Sequence, residues 1–371
     1  MLTPGNFVEG GGLKLRGTKD KHYSADFPEQ YMLSEKDILV VMTDLIQSAP
    51  LLGGALIVPE DNRFLHNQRL GLVQTKGKEP VDRSFLYYLL NSPDYKAQVR
   101  ASATGATVRH TAPTRIENCH VTIPNDPAEQ RAIAEILEWH DIAIFQTSRQ
   151  IELLEEAARL IYTQWFVRLR FPRPRAAIST NWRPAKLEEA VSINPKTPCE
   201  AGKEAPFVPM TALSQTGMVI EGIEQRAIGG GAKFQNGDTL LARITPCLEN
   251  GKTGFVQFLD DENPVASGST EFIVLRSRRV NPYWVYCLAR TEHFREFAIR
   301  SMSGADGRQR VSTDSLAQYP VTIPPAEILD DFGKAVGPMF EQIHTLTQQI
   351  AQLRQARDLL LPRLISGQLR L

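Results

Sequence analysis

Long apolar runs are missing from this sequence. The longest, around Ile38–Met42 and Leu51–Val58, fall well short of the roughly 18 residues that a membrane-crossing helix needs, and glycine interrupts the second. No membrane association is expected. The opening Met1-Leu2-Thr3-Pro4-Gly5 also lacks the basic and apolar regions of a signal peptide. Cysteine is scarce. Cys119, Cys199, Cys247 and Cys287 lie far apart and form no CxxC pair, which argues against a structural zinc and for free thiols in a cytoplasmic protein. Surplus charge of either sign is absent too, with 42 basic and 42 acidic residues. That balance excludes a uniformly basic chain but leaves open how the charge is distributed. What is present is ordinary for a folded protein: 42% hydrophobic and 23% charged residues among 371, enough chain for two or three domains.

The chain repeats itself. Val121-Thr122-Ile123-Pro124 recurs as Val321-Thr322-Ile323-Pro324, and Gly105 matches Gly304. Tyr95–Val99 resembles Phe294–Ala298 in character, and Lys36–Val40 resembles Gly237–Leu241. All four matches share an offset of about 200 residues, which is a duplicated domain rather than a solenoid. Each copy has strand-like runs between Gly, Pro and Asn turns: Asp37–Met42, Gly54–Val58 and Leu70–Gln74, then Asp238–Ile244, Gly254–Phe258 and Glu271–Leu275. One helix follows in each, about Ser84–Ser102 and Pro282–Ser301, then a Gly loop and a closing Val-Thr-Ile strand. The expected class is α+β, with two similar globular α/β domains.

Each copy then ends in a long amphipathic helix. Asp126-Pro127-Ala128-Glu129 marks the first start, with a capping Asp, Pro at the first helical position and Glu three residues after the cap. Steps of three and four give the seam Ile133, Leu137, His140, Ile144, Thr147, Ile151, Leu154, Ala158, Ile161 and Trp165. The same register in the second copy gives Phe332, Val336, Met339, Ile343, Leu346, Ile350, Leu353, Arg357, Leu360 and Leu364. An apolar pattern sustained this far is a coiled-coil seam. The Pro-bearing stretch from Phe171 to Arg175 ends the first helix, and Gly367 is placed to cap the second. The expected divisions are therefore 1–125, 126–172, 173–325 and 326–371: domain, rod, domain, rod. Rods pairing within the chain must run antiparallel for the domains to sit at opposite ends. A helix of about 35–40 residues spans roughly 50–60 Å.

Signatures of chemistry are absent. Asn281-Pro282-Tyr283-Trp284 looks like an amino-methyltransferase motif but lacks its second Pro, and is better explained by Pro at a helix start. Pro93-Asp94 has no nuclease partner motif. Gly229-Gly230-Gly231 fits no phosphate loop, and the histidines have no metal-binding spacing. No catalytic residue and no metal ligand is nominated. Charge is segregated instead. Residues 126–166 carry eight acidic and three basic side chains, residues 62–115 nine basic and three acidic, and residues 276–310 eight basic and three acidic. Basic stretches around paired glycines suit phosphate tracking, and Arg and Gln suit base edges in the major groove. Arg109, His110, Arg308, Gln309 and Arg310 are the nominated DNA readers, with Lys76, Lys78, Arg243 and Lys252 as weaker phosphate contacts.

The order of parts resembles the specificity subunit of type I restriction-modification systems. The resemblance rests on Glu129–Leu137 opening the first helix and Trp165-Phe166-Val167 closing it. It rests also on Leu364–Leu369 and the junctions Ile123-Pro124 and Ile323-Pro324. It implies two target-recognition domains reading the halves of a split double-stranded DNA site, held apart by an antiparallel coiled coil. It further implies a non-enzymatic chain without a cofactor of its own. The partners would be two modification (methyltransferase) subunits that bind S-adenosylmethionine and a restriction subunit that uses ATP and Mg. A rod of roughly 50–60 Å would then separate the contact centres by roughly 15 base pairs. Residues 182–210, which open the second domain, have no counterpart in the first, so the first domain is either compact or N-terminally incomplete. The second open reading is a coiled-coil adaptor whose globular domains bind protein partners.

Overall fold

The computed structural model describes residues 1–76, 81–170, 172, 181–305 and 307–369. The chain divides into one unit of residues 1–145 with 351–371, and a second of residues 146–350.

The first unit is built around β1 (Ile38–Val41), followed by β2 (Thr43–Asp44), β3 (Ala55–Ile57) and β4 (Leu70–Leu72). β1 pairs antiparallel with β3 on one side and β4 on the other. All of β1 is buried because alternate side chains enter different clusters. Leu39 and Val41 pack with Leu2, Phe7, Leu33 and Phe64, while Ile38 and Val40 pack with Leu90, Tyr95 and Val99. The last three come from α1 (Arg83–Asn91) and α2 (Pro93–Ser102). The sequence pattern predicts a single helix here. It breaks because Pro93 forces Ser92 into extended backbone (φ −66°, ψ 146°) and starts a new helix. β5 (Arg109–His110) returns to pair with β2, and α3 (Pro113–Glu117) follows.

α4 (Pro127–Tyr162) starts where the Asp-Pro signal places it, with Ala128 N donating to Asp126 Oδ1 at 2.8 Å. Gln130, buried at its first turn, donates to Pro124 O and accepts from Asp82 N. Within this unit, Ile133, Ala134 and Leu137 share a core with Phe85, Tyr88, Leu89, Leu361, Leu364 and Ile365. Further along, Asp141 Oδ1 takes a hydrogen bond from Arg357 Nη1 (2.6 Å), and Oδ2 takes one from Tyr88 (2.9 Å). Rising numbers on α4 meet falling numbers on the C-terminal helix, so the two run antiparallel here.

The second unit contains β6 (Arg183–Lys186), α5 (Leu187–Ala190), β7 (Val191–Ile193), β8 (Glu204–Val208), β9 (Glu224–Ala227) and β10 (Ala232–Phe234). Then come β11 (Thr239–Ala242), β12 (Thr253–Phe255), β13 (Ala266–Gly268), β14 (Phe272–Ser277), α6 (Pro282–Ala289) and α7 (Glu292–Arg300). β15 (Met302–Ser303), β16 (Arg310–Val311), α8 (Thr313–Ala317), β17 (Pro320–Ile323) and α9 (Ala326–Ile365) complete it, with α9 ending in the first unit. The sheet β12-β11-β14-β7 repeats the first unit's β3-β1-β4 order and adds β7 at its edge. A further sheet, β10-β13-β8-β9, has no counterpart among the described residues of the first unit. The paired helices recur as α6 and α7, each with a side-chain cap: Asn281 accepts from Trp284 N, and Thr291 from Phe294 N.

One expected strand does not form. In the second copy β17 pairs with β6, Val321 opposite Ala185. β6 has no counterpart among the described residues of the first unit, and Val121–Ile123 there is not a strand. The rest of α4 and the helical turn after it (Thr163–Val167) again meet α9 in antiparallel sense. Tyr162 and Phe166 meet Phe332 near the start of α9 edge-on and Trp165 meets it at a tilt, whereas Ser148 and Ile151 line a cavity with Thr347 and Ile350. Gly367, at φ +71°, follows the end of α9 as expected of a cap. Of the predicted seam, Ile133, Leu137, Ile151, Val336, Ile343, Leu346 and Ile350 are buried, and Ile144, Leu154, Ile161, Leu353 and Leu360 are half-buried.

Glu155 of α4 is buried in the second unit, where it accepts from Met218 N (2.7 Å) and from Tyr286 OH (2.5 Å). Burial, reinforced by this carboxylate, pushes the Tyr286 phenol well above its ordinary range and keeps it a donor. Among the described residues no helix is long and apolar enough to cross a membrane.

Candidate nucleic-acid interface

The two units build the same local arrangement at one end of the central sheet. In the second, the residue after β11 is fixed between two others: Arg243 N donates to Glu271 O (2.9 Å), and Val311 N donates to Arg243 O (3.0 Å). Ile244 bridges to Arg310, and Thr245 N donates to Gln309 O (3.0 Å). In the first, Met42 N donates to Arg69 O (2.9 Å), Thr111 N donates to Met42 O (2.9 Å), and Thr43 pairs with His110. Position by position, Met42 answers to Arg243, Arg69 to Glu271 and His110 to Arg310.

The loop before Arg109-His110 and the loop before Arg308–Arg310 each turn on one of the paired glycines. Gly105 has φ +100°, and a Cβ there would sit 1.9 Å from Val108 O; Gly304 has φ +124°. Only glycine takes such backbone without strain.

Side chains differ between the copies. Arg310 is held by Glu271, with Nε 2.9 Å from Oε2 and Nη2 2.7 Å from Oε1, while Arg243 Nε lies 4.0 Å from the same carboxylate. The Arg310 hydrogen bonds, with the charges of Arg310 and Arg243, hold the Glu271 carboxyl below the ordinary range against the opposing effect of burial. Glu271 raises the Arg310 guanidinium in return. In the first unit His110 Nδ1 lies 3.0 Å from Thr43 Oγ1. Buried Asp44 accepts from Ile46 N and Leu51 N, bracing a loop that exposes Leu45 and Ile46.

The nominated readers thus occupy three kinds of place. His110 and Arg308 are exposed beside this sheet end. Arg310 and Gln309 are half-buried, Arg310 on its carboxylate and Gln309 through its backbone carbonyl to Thr245. Arg109 turns inward, its Nη2 donating to Arg100 O (2.9 Å). Arg243 is within this group, and Lys252 is beside it through Ala242 N, with its ammonium on Met210 O (2.7 Å). Lys76 lies elsewhere, on Glu117 of α3 (2.9 Å), and Lys78 is outside the described residues. Glu271 and Arg69 escaped notice in the sequence. Aligning the copies through β4 and β14 would have set them opposite each other.

The basic excess of each stretch is partly spent inside the fold. Arg276 pairs with buried Asp238, Arg290 donates to Gly251 O and Gln215 O, and Arg115 donates to Ser102 O. What stays exposed is concentrated at loops such as Arg308 and Arg69.

These features define a duplicated α+β chain in which each copy packs on long helices and carries the same backbone arrangement at one sheet end. Comparison with known proteins places it more narrowly. Residues 16–156 match the family described as type I restriction modification DNA specificity domain. The chain is 25% identical over 341 residues to the type I restriction enzyme MjaIX specificity subunit of Methanocaldococcus jannaschii, covering 79% of this chain and 70% of that protein. It is 31% identical over 167 residues to the type I restriction enzyme EcoEI specificity subunit of Escherichia coli, covering 41% of this chain and 27% of that protein. A crystal structure of the type I restriction-modification S subunit from M. genitalium shares the fold. Its TM-score is 0.53 at 17% identity, covering 98% of this chain and 91% of that one. The chain is thus similar to type I restriction enzyme specificity subunits in sequence and in fold.

Proposed function

We propose that this chain is the DNA sequence-recognition subunit of a type I restriction-modification complex, with each unit reading one half of a split site. The observation that carries this reading is the matched sheet end: two copies of one scaffold present different side chains at equivalent places, as two half-sites of different sequence require. Methyl transfer and cleavage would belong to partners, two modification subunits with S-adenosylmethionine and a restriction subunit with ATP and Mg. The surface best suited to a partner is the outer face of α4 in the first unit, where Trp139, Ile142 and Phe145 are 61%, 50% and 72% exposed. Site of action is taken as cytoplasmic.

The test is duplex binding by the full chain with its modification subunit across about 50–200 mM salt. Phosphate contacts release counterions, so affinity should fall steeply, by roughly 10³-fold or more. A flat response would favour a protein-binding adaptor. Methylome sequencing should return one bipartite motif.

A further inference from the structure

We propose that Glu271 is a positioning residue that sets Arg310 to read one guanine in the half-site of the second unit, and that the first unit has no such device. This rests on the DNA-recognition reading above. The Glu271 carboxylate occupies the Nε and Nη2 side of the Arg310 guanidinium, at 2.9 and 2.7 Å. Nη1 donates to Arg308 O at 3.2 Å, which ties the plane to its own loop. One N–H on each terminal nitrogen is left, and these form the outer fork of the group. A fork of this shape matches guanine O6 and N7 in the major groove, and a fixed plane loses less entropy on meeting them. The Arg310 side chain is 40% exposed.

The first unit carries Met42, Arg69 and His110 at the three matched positions. It thus has no carboxylate where Glu271 stands and an imidazole where Arg310 stands, with Nδ1 already against Thr43 Oγ1. The same scaffold therefore asks for a different base there. Removing Glu271 also removes a negative charge from a DNA-facing loop, so the proposal separates two effects that a phosphate contact would join. Overall affinity should hold or rise while discrimination falls.

The measurement uses the full chain with its modification subunit, on duplexes in which each base pair of the methylome-defined target is replaced in turn. Glu271→Gln should lower discrimination at one G·C pair of one block by about tenfold or more, with the other block and the affinity for random duplex retained. Arg310→Lys, which keeps the cation and loses the fork, should relax the same pair and carries the test if Glu271→Gln does not fold. Unchanged discrimination in both variants, or relaxation spread over both blocks, overturns the proposal. A wild-type complex that shows no two-block preference defeats the functional reading itself, and does so before any substitution is made.

Discussion

Single carboxylates decide much of this molecule. Glu155 is 3% exposed and accepts from a backbone amide and a tyrosine. Glu155→Ala strands both donors in the interior, and each stranded donor costs about 1–3 kcal/mol. We expect a loss of about 2–6 kcal/mol in chemical denaturation, with Glu155→Gln retaining part of it. Glu271 gives a pH prediction. Its folded pKa is lowered, so its contribution is present above the ordinary value of 4.5 and is lost as pH falls through the lowered one. The stability difference between wild type and Glu271→Gln should therefore shrink in acid below that range and stay constant above it. Gly105→Ala, whose Cβ would meet Val108 O, should displace the loop holding Arg109 and His110 and weaken the first half-site.

At the scale of elements, the helices were more legible than the strands. The start of α4 followed from Asp126 and Pro127, and its buried face from apolar spacing, because both signals are local. Leu137 is fully buried among side chains of α1 and α9. Leu137→Ala should cost about 2–5 kcal/mol in thermal or denaturant unfolding. Strands need partners, and partners lie far away in sequence. Val121–Ile123 reads as well as Val321–Ile323, yet only the second finds β6. The break between α1 and α2 was written in Ser92-Pro93, but the break between α6 and α7 has no proline and depends on the Thr291 cap. The matched sheet end was only partly visible in the sequence for the same reason. Arg310 stands out as a cation beside a glycine loop, whereas Glu271 gains meaning only when β14 brings it beside Arg243 and the Ile244 bridge brings Arg310 to the same end.

Across the whole molecule, duplication is accurate in the helices and loose in the domains. Ile133, Leu137 and Asp141 contact the first unit, and Phe332, Val336 and Phe340 are buried in the second at the same spacing. The chemistry of the seats differs. The first unit uses Tyr88, Asp141 and Arg357, while the second packs Phe255, Tyr283 and Tyr286 around Phe340. Deleting residues 351–371 should therefore unsettle the first unit alone. The expected readout is loss of the first block of the methylation motif with the second retained, and a melting transition that persists for the second unit.

The first unit's core is closed by Leu361, Leu364 and Ile365, although its sheet is made before residue 73. On the ribosome, residues 146–350 are all synthesised before those three side chains emerge. The domain that begins first is thus the last to be finished. Meanwhile Phe85, Tyr88 and Leu137 wait without their covering helix, and a chaperone would find its longest-lived client surface there.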